Sequence, residues 1–242
     1  AWTRLSLSDL WQQTSWWGRA GLALITLSMG SVAILGACSP SFGWDSKMYH
    51  IPIALLRLQE GDLSRLESSW SYIVGYPETG EWFILWIMAF LRNQSLADMV
   101  QWPFWLFGTI ALISLSTKLG AKLSDAILGT TVWCLAPVAI LQAREAYIDL
   151  IVASLFWMGM SLLCHRPTSL AAAVLTGLVI GLLFGTKLGA GGLVGILVIY
   201  GLASGRHDKK QLGTFLLSAI CFAVLNSYWY LSNATLSVSH RS

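Results

Sequence analysis

Charge is what this sequence has least of. Asp, Glu, Lys and Arg make up only 11% of its 242 residues, where a water-soluble domain carries about a quarter. Hydrophobic residues make up 55%, too many to be covered by so few hydrated groups, so the chain reads as an integral membrane protein. The net charge is only +3, and no basic tract is long enough to suggest nucleic acid as a partner. Cys38, Cys134, Cys164 and Cys221 stand singly in or beside apolar runs. Without a Cys-x-x-Cys or His-x-x-x-His spacing, neither a structural zinc nor a disulfide framework has support.

Internal repeats and low-complexity segments are missing too. Gly189, Gly191, Gly192 and Gly195 lie close together, but no strand signal precedes them, which argues against a nucleotide cradle. Gly177, Gly181 and Gly185 recur every four residues, a spacing that favours close helix packing over a ligand role.

What is present is a series of apolar runs, at about 19–38, 101–117, 126–143, 147–164, 169–186, 188–203 and 211–231. The first carries no charge after Arg19 and is long enough to cross a bilayer. Its end, Leu35-Gly36-Ala37-Cys38, resembles a lipoprotein cleavage box. The run is longer than the roughly 7–15 apolar residues of a secretory signal, so a retained helix is expected. Trp16 and Trp17 read as interfacial anchors, and Arg4 and Arg19 as cytoplasmic.

Residues 39–100 are a different kind of sequence. Met48, Ile51, Pro52, Leu55 and Leu56 fall at helical spacing, with Lys47, His50 and Arg57 on another face. That pattern suits a short helix lying in the membrane interface, started or kinked by Pro52 and ended at Gly61-Asp62. Glu81 to Leu91 is apolar after its first residue. Its length as a helix is only about 16 Å against a hydrocarbon core of about 30 Å, so a second surface helix is expected.

If that helix does not cross, Lys118, Lys122, His165-Arg166 and the cluster Arg206-His207-Asp208-Lys209-Lys210 are cytoplasmic, as the positive-inside bias favours. Asp45, Glu145, Asp149 and Lys187 then face the other compartment together. The expected fold is all-α, a polytopic transmembrane helical bundle of about seven spans with two interfacial helices in the first external loop. It forms one module: a cytoplasmic segment 1–18, the external loop 39–100 and six further spans over 101–231.

The candidates for chemistry lie at the rims of these runs. Asp45, at the mouth of a bundle, can take a proton from a hydroxyl or hold a cation; alternatively it caps the helix that follows. Glu145 and Asp149 stand four apart, on one face if the segment is helical. Carboxylates at the rim of a span suggest function, although Arg144 beside Glu145 also allows a simple surface pair. Lys187 either meets an anion at the membrane surface or snorkels to the headgroups. His50 is an acid, base or ligand candidate, or an interfacial side chain bonded to water or headgroup. Tyr76, Glu78 and Glu81 are candidates for binding a polar substrate.

Assembled in order, these residues resemble the membrane-embedded GT-C glycosyltransferases. The bacterial group of protein mannosyltransferase-like, aminoarabinose-transferase-like and lipopolysaccharide-core sugar transferases is the nearest likeness. Trp44-Asp45-Ser46-Lys47-Met48-Tyr49-His50-Ile51-Pro52 resembles that family's Asp-bearing first external loop. Tyr76-Pro77-Glu78-Thr79-Gly80-Glu81 is similar to its Tyr-Pro-led stretch, and Gln142-Ala143-Arg144-Glu145-Ala146-Tyr147-Ile148-Asp149 to its second acidic loop. Gly185-Thr186-Lys187 and Ser227-Tyr228-Trp229-Tyr230-Leu231-Ser232-Asn233 resemble two further elements. The likeness covers residues 20–233, the family's seven-span N-terminal module; its members usually continue beyond it.

The resemblance implies inverting transfer of a sugar from a polyprenyl-phosphate donor, on the external face of a bacterial inner membrane, with the N-terminus cytoplasmic. Asp45 would be the general base. Glu145 and Asp149 would orient the acceptor or hold a divalent metal, which only some members use, with Asp45 beside Asp149 as a further ligand for it. Lys187 would approach the donor phosphate, with Tyr49, His50, Tyr76, Glu78 and Arg144 as further substrate-binding residues. Two other classes stay open. One is a non-catalytic membrane subunit on the same module, packed in a larger assembly. The other is a small transporter, which the clustering of charge at the rims disfavours.

Overall fold

The computed structural model describes residues 11–61, 76–92, 94–166, 169–205 and 209–239. Arg4, Asp62 and the Arg206-His207-Asp208 part of the basic cluster lie outside them. Every regular element among the described residues is helical. The chain runs through α1 (Trp16–Cys38), α2 (Ile51–Glu60), α3 (Thr79–Leu91), α4 (Gln101–Lys118) and α5 (Leu123–Cys134). It continues through α6 (Pro137–Gln142), α7 (Asp149–Cys164), α8 (Leu170–Thr186), α9 (Gly191–Gly205) and α10 (Lys209–Ser239). A π-helical turn, Ser46–His50, leads into α2, and 3-10 turns Gln94–Met99 and Leu188–Ala190 lead into α4 and α9.

Among the described residues, three helical stretches are long and apolar enough to cross a membrane: Trp16–Cys38, Leu96–Lys118 and Leu212–Trp229. Thr79–Leu91, Asp149–Cys164, Leu170–Thr186 and Leu188–Ser204 are apolar but shorter. The run expected as one span over 126–143 is two helices, α5 and α6, parted at Leu135 and Ala136. Pro137 forces the break, because its nitrogen cannot donate to the helical ladder and its ring clashes with the turn before it. In α2, Pro52 instead occupies the first turn, where no donor is needed, and Gly61 ends the helix with a left-handed φ of 65°.

Helix ends sort into two sets. At one, the backbone N–H of Ser15 donates to Ser124 Oγ at 2.9 Å, which ties the start of α1 to the start of α5. Lys118 and Lys122 are exposed on the α4–α5 turn at that end. Gln101, at the other end of α4, lies about 27 Å away along an 18-residue helix. Gathered near it are the close of α1, where Gly36 faces Met99, and the segment from Ala146 to Asp149 that opens α7. α3 starts against Ile148 and Thr186 and packs Phe83 on Phe104 of α4, ring centroids 4.8 Å apart. The first turns of α3 therefore lie at this end of the bundle.

Two apolar clusters fill the interior. Trp105, fully buried, sits among Ile25, Met29, Ile127 and Leu150, where α1, α4, α5 and α7 meet. The larger cluster joins α2, α3, α7, α8 and α9, with Ile84, Ile151, Leu155, Leu183 and Leu197 nearly or fully buried. Gly177, Gly181 and Gly185 form the contact face of α8 for α10. A Cβ at Gly177 would stand 2.5 Å from the Ser218 carbonyl oxygen. Without a hydrophobic drive between apolar helices in lipid, such small residues set how closely backbones approach. The four cysteines are all free.

Candidate functional site

The site is held together from beneath by Glu145. Its carboxylate accepts the Ser41 hydroxyl at 2.8 Å and the backbone N–H groups of Phe42 and Gly43 at 3.1 and 2.8 Å. Glu145 is buried, and bonds of neutral donors to a carboxylate are each worth about 1.5–3 kcal/mol there. It clamps the chain leaving α1, two residues before Asp45. The clamp in turn rests on α4: Gln101 donates to the carbonyls of Gln142 and Glu145 at 2.6 and 3.2 Å and accepts the N–H of Leu150 at 2.8 Å. Asp98 accepts the N–H of Ala146 at 3.0 Å.

This geometry corrects two expectations. Glu145 and Asp149 do not share a helical face, because residues 143–146 form turns and α7 begins at Asp149. Nor does Arg144 supply any bond of the clamp; it is half-buried and does not line the cavity described below. The amides of residues 42 and 43 outcompete a flexible guanidinium because they are already fixed in place.

Asp45 does not cap the next helix. Its backbone is itself αR (φ −63°, ψ −37°), and it makes no side-chain capping bond. It accepts a hydrogen bond from the Tyr49 hydroxyl, four residues on across the turn. Burial, then the Asp45 charge and this bond, raise the Tyr49 phenol above its ordinary pKa of 10. The phenol stays protonated and donates.

Behind Tyr49 lies a second layer. His50 Nδ1 meets Glu81 Oε1 at 2.6 Å, both side chains being 5% exposed or less. Arg57 donates through Nε and Nη2 to Glu78 Oε2, at 3.2 and 2.7 Å. The reading of His50 as a side chain bonded to water or headgroup is therefore overturned, and Arg57, set with it on one helix face, is buried too. Each is buried because a carboxylate from the start of α3 meets it there. Burial raises the Glu78 carboxyl above the usual range, against the opposing pull of Arg57.

A cavity of about 580 Å³ opens on this layer. Trp44, Met48 and Ile53 line one side, Tyr76, Glu78 and Glu81 a second, and Ile148, Thr186 and Lys187 a third. Lys187 Nζ pairs with Asp149 Oδ1 at 2.5 Å, with both side chains more than a third exposed. Such a pair contributes little to stability and leaves the ammonium within reach of another anion. The Tyr76 carbonyl accepts the Trp229 indole N–H at 2.8 Å, which ties α10 to the rim. Asp45 adjoins the wall through Trp44 in sequence and Tyr49 by its hydrogen bond.

The chain matches no family model, no curated protein and no solved structure. Its chemistry has to be read from the site itself.

Asp45, Glu145, Asp149, Lys187, His50, Tyr49, Tyr76 and Glu78 all gather at one end of the bundle. Their roles differ. Glu145 holds the loop, Asp149 engages Lys187, and Asp45 is left on the turn beside the cavity. Among the described residues no three His, Cys, Asp or Glu side chains converge as ligands, and Asp149 is occupied by Lys187. Sequence reasoning missed Gln101, Asp98 and Ser41. The available signal was a pair of polar residues at the head of an apolar run, Asp98 and Gln101, just ahead of Trp102-Pro103.

Proposed function

We propose that the chain is a membrane-embedded glycosyltransferase, or the N-terminal module of one, that moves a sugar from a polyprenyl-phosphate donor to an acceptor at the membrane's external face. The observation that carries this reading is a cavity of about 580 Å³ that Lys187 and Tyr49 line, with Asp45 bonded to Tyr49, at the end of the bundle away from Lys118 and Lys122. With those lysines cytoplasmic, the site faces outward. The chain then crosses seven times, α5 and α6 together making one crossing, and α2 and α3 lie in the interface.

In this reading Asp45 takes the proton of the acceptor hydroxyl. The oxygen attacks the anomeric carbon from the face opposite the phosphate, and the configuration inverts. The bond from the anomeric carbon to the phosphate oxygen breaks, its electron pair leaving with polyprenyl phosphate. Lys187 offsets the charge that grows on that phosphate, moving its ammonium from Asp149 towards the donor. Tyr49 orients Asp45, and Glu145 acts one step further back as a positioning residue.

Asp45→Asn tests this. It should abolish sugar transfer while the protein stays in the membrane at normal levels. Undiminished transfer would remove Asp45 from the mechanism. Undiminished function of the whole assembly, with partners co-purifying in fixed ratio, would favour the non-catalytic subunit instead.

A further inference from the structure

Two carboxylates line the cavity, and they differ in one respect. Glu78 is already engaged by two donors of Arg57. Glu81 gives Oε1 to His50, while its Oε2 is buried with no hydrogen-bond partner. The Glu81 side chain is 5% exposed, and Glu81 is part of the cavity wall. A buried carboxylate oxygen without a donor is costly, and such atoms are rare unless something else satisfies them.

On the same wall system, Lys187 offers an ammonium towards the exposed mouth. One wall of the cavity thus includes a carboxylate with an unpartnered oxygen, and another a cation. A ligand matching both has a hydrogen-bond donor at one end and an anionic group at the other.

We propose that Glu81 Oε2 is the sugar-recognising contact of the donor subsite: it accepts a hydroxyl of the donor's sugar while Lys187 holds the phosphate. This rests on the polyprenyl-phosphate reading above and adds the residue that tells a sugar-bearing donor from a bare lipid phosphate. Glu81 moves no proton in the transfer. Its role is selection, and His50 fixes which oxygen is free.

The test is binding, measured on the whole chain in lipid nanodiscs with short-chain phosphodiesters of equal charge. The probes are citronellyl phosphate esterified to mannose, glucose or galactose, and methyl citronellyl phosphate, which carries no sugar. Wild-type protein should bind at least one sugar diester about 10-fold more tightly than the methyl diester, as expected for one charged hydrogen bond. Glu81→Gln should erase that advantage and leave the methyl diester's affinity within about twofold. Lys187→Gln should weaken every diester alike.

Glu81→Asp keeps the charge but withdraws the oxygen by one methylene, and it should also lose most of the advantage; it serves if Glu81→Gln does not fold. Equal binding of sugar and methyl diesters by wild-type protein would overturn the subsite alone. So would a uniform loss in either Glu81 variant, which would make Glu81 a brace of the fold. Failure of every diester to bind wild-type protein would overturn the donor reading, and the subsite with it.

Discussion

The carboxylate of Glu145 accepts the backbone N–H of Gly43 at 2.8 Å, joining two loops more than a hundred residues apart. Through this contact the acid of the second loop sets where the acid of the first, Asp45, stands. A group whose place in the chain suggests chemistry is thus the fastening of another group, and each role can be probed apart from the other.

Glu145→Gln removes the charge from a buried acceptor of a hydroxyl and two amides. It should cost about 2 kcal/mol of stability, read as a fall in thermal midpoint in detergent. Cleavage by protease within residues 39–45 should quicken. If the chain transfers a sugar as proposed, transfer should drop even though Asp45 is intact.

Gly43 has no room for a side chain. A Cβ there would stand 2.7 Å from Tyr147 Cε1 and 2.7 Å from its hydroxyl oxygen. Gly43→Ala should destabilise by about 1–3 kcal/mol, as overpacking does. Adding Tyr147→Ala, which empties the space, should recover part of the loss. A double-mutant cycle on unfolding free energies measures the coupling, and strict additivity would show the clash to be relieved elsewhere.

Lys187→Gln separates binding from stability. Its bond to Asp149 is half-exposed, so the unfolding free energy should change by less than about 1 kcal/mol. On the proposed function, donor turnover should fall by at least about 10-fold, the loss of one charged contact to phosphate. A large stability loss with unchanged turnover would make Lys187 structural.

Tyr49 carries a pH signature. Its phenol is raised above 10 first by burial and then by Asp45. A group whose folded pKa exceeds its unfolded value adds stability that is fully present below the unfolded pKa, about 10 for a phenol. That stability is lost as pH rises through the folded value. Phenolate difference spectra of wild-type protein against Tyr49→Phe should show this tyrosine ionising later than an exposed one. Asp45→Asn should bring its ionisation earlier, though not fully to 10, because burial remains.

Much of the frame is legible in the residues. Eleven per cent charge in 242 residues leaves lipid as the natural surroundings, and the spacing of Gly177, Gly181 and Gly185 announces a helix contact. Pro52 and Gly61 bound α2 as their backbone chemistry requires. Pro137 is present as a break, yet the apolar run around it hides it, because hydropathy averages over a window that one imino acid barely changes.

The roles within the site are not legible, because they depend on partners distant in the chain. Nothing near His50 foretells Glu81, 31 positions on, and nothing near Glu145 foretells the amides of residues 42 and 43. Composition and local pattern determine which segments avoid water, and where acids and lysines fall relative to them. Which acid fastens a loop, which is neutralised by a cation and which keeps an oxygen free is decided only by packing. Each buried charge must find its partner from whatever the fold brings beside it, and the chain order holds no record of that meeting.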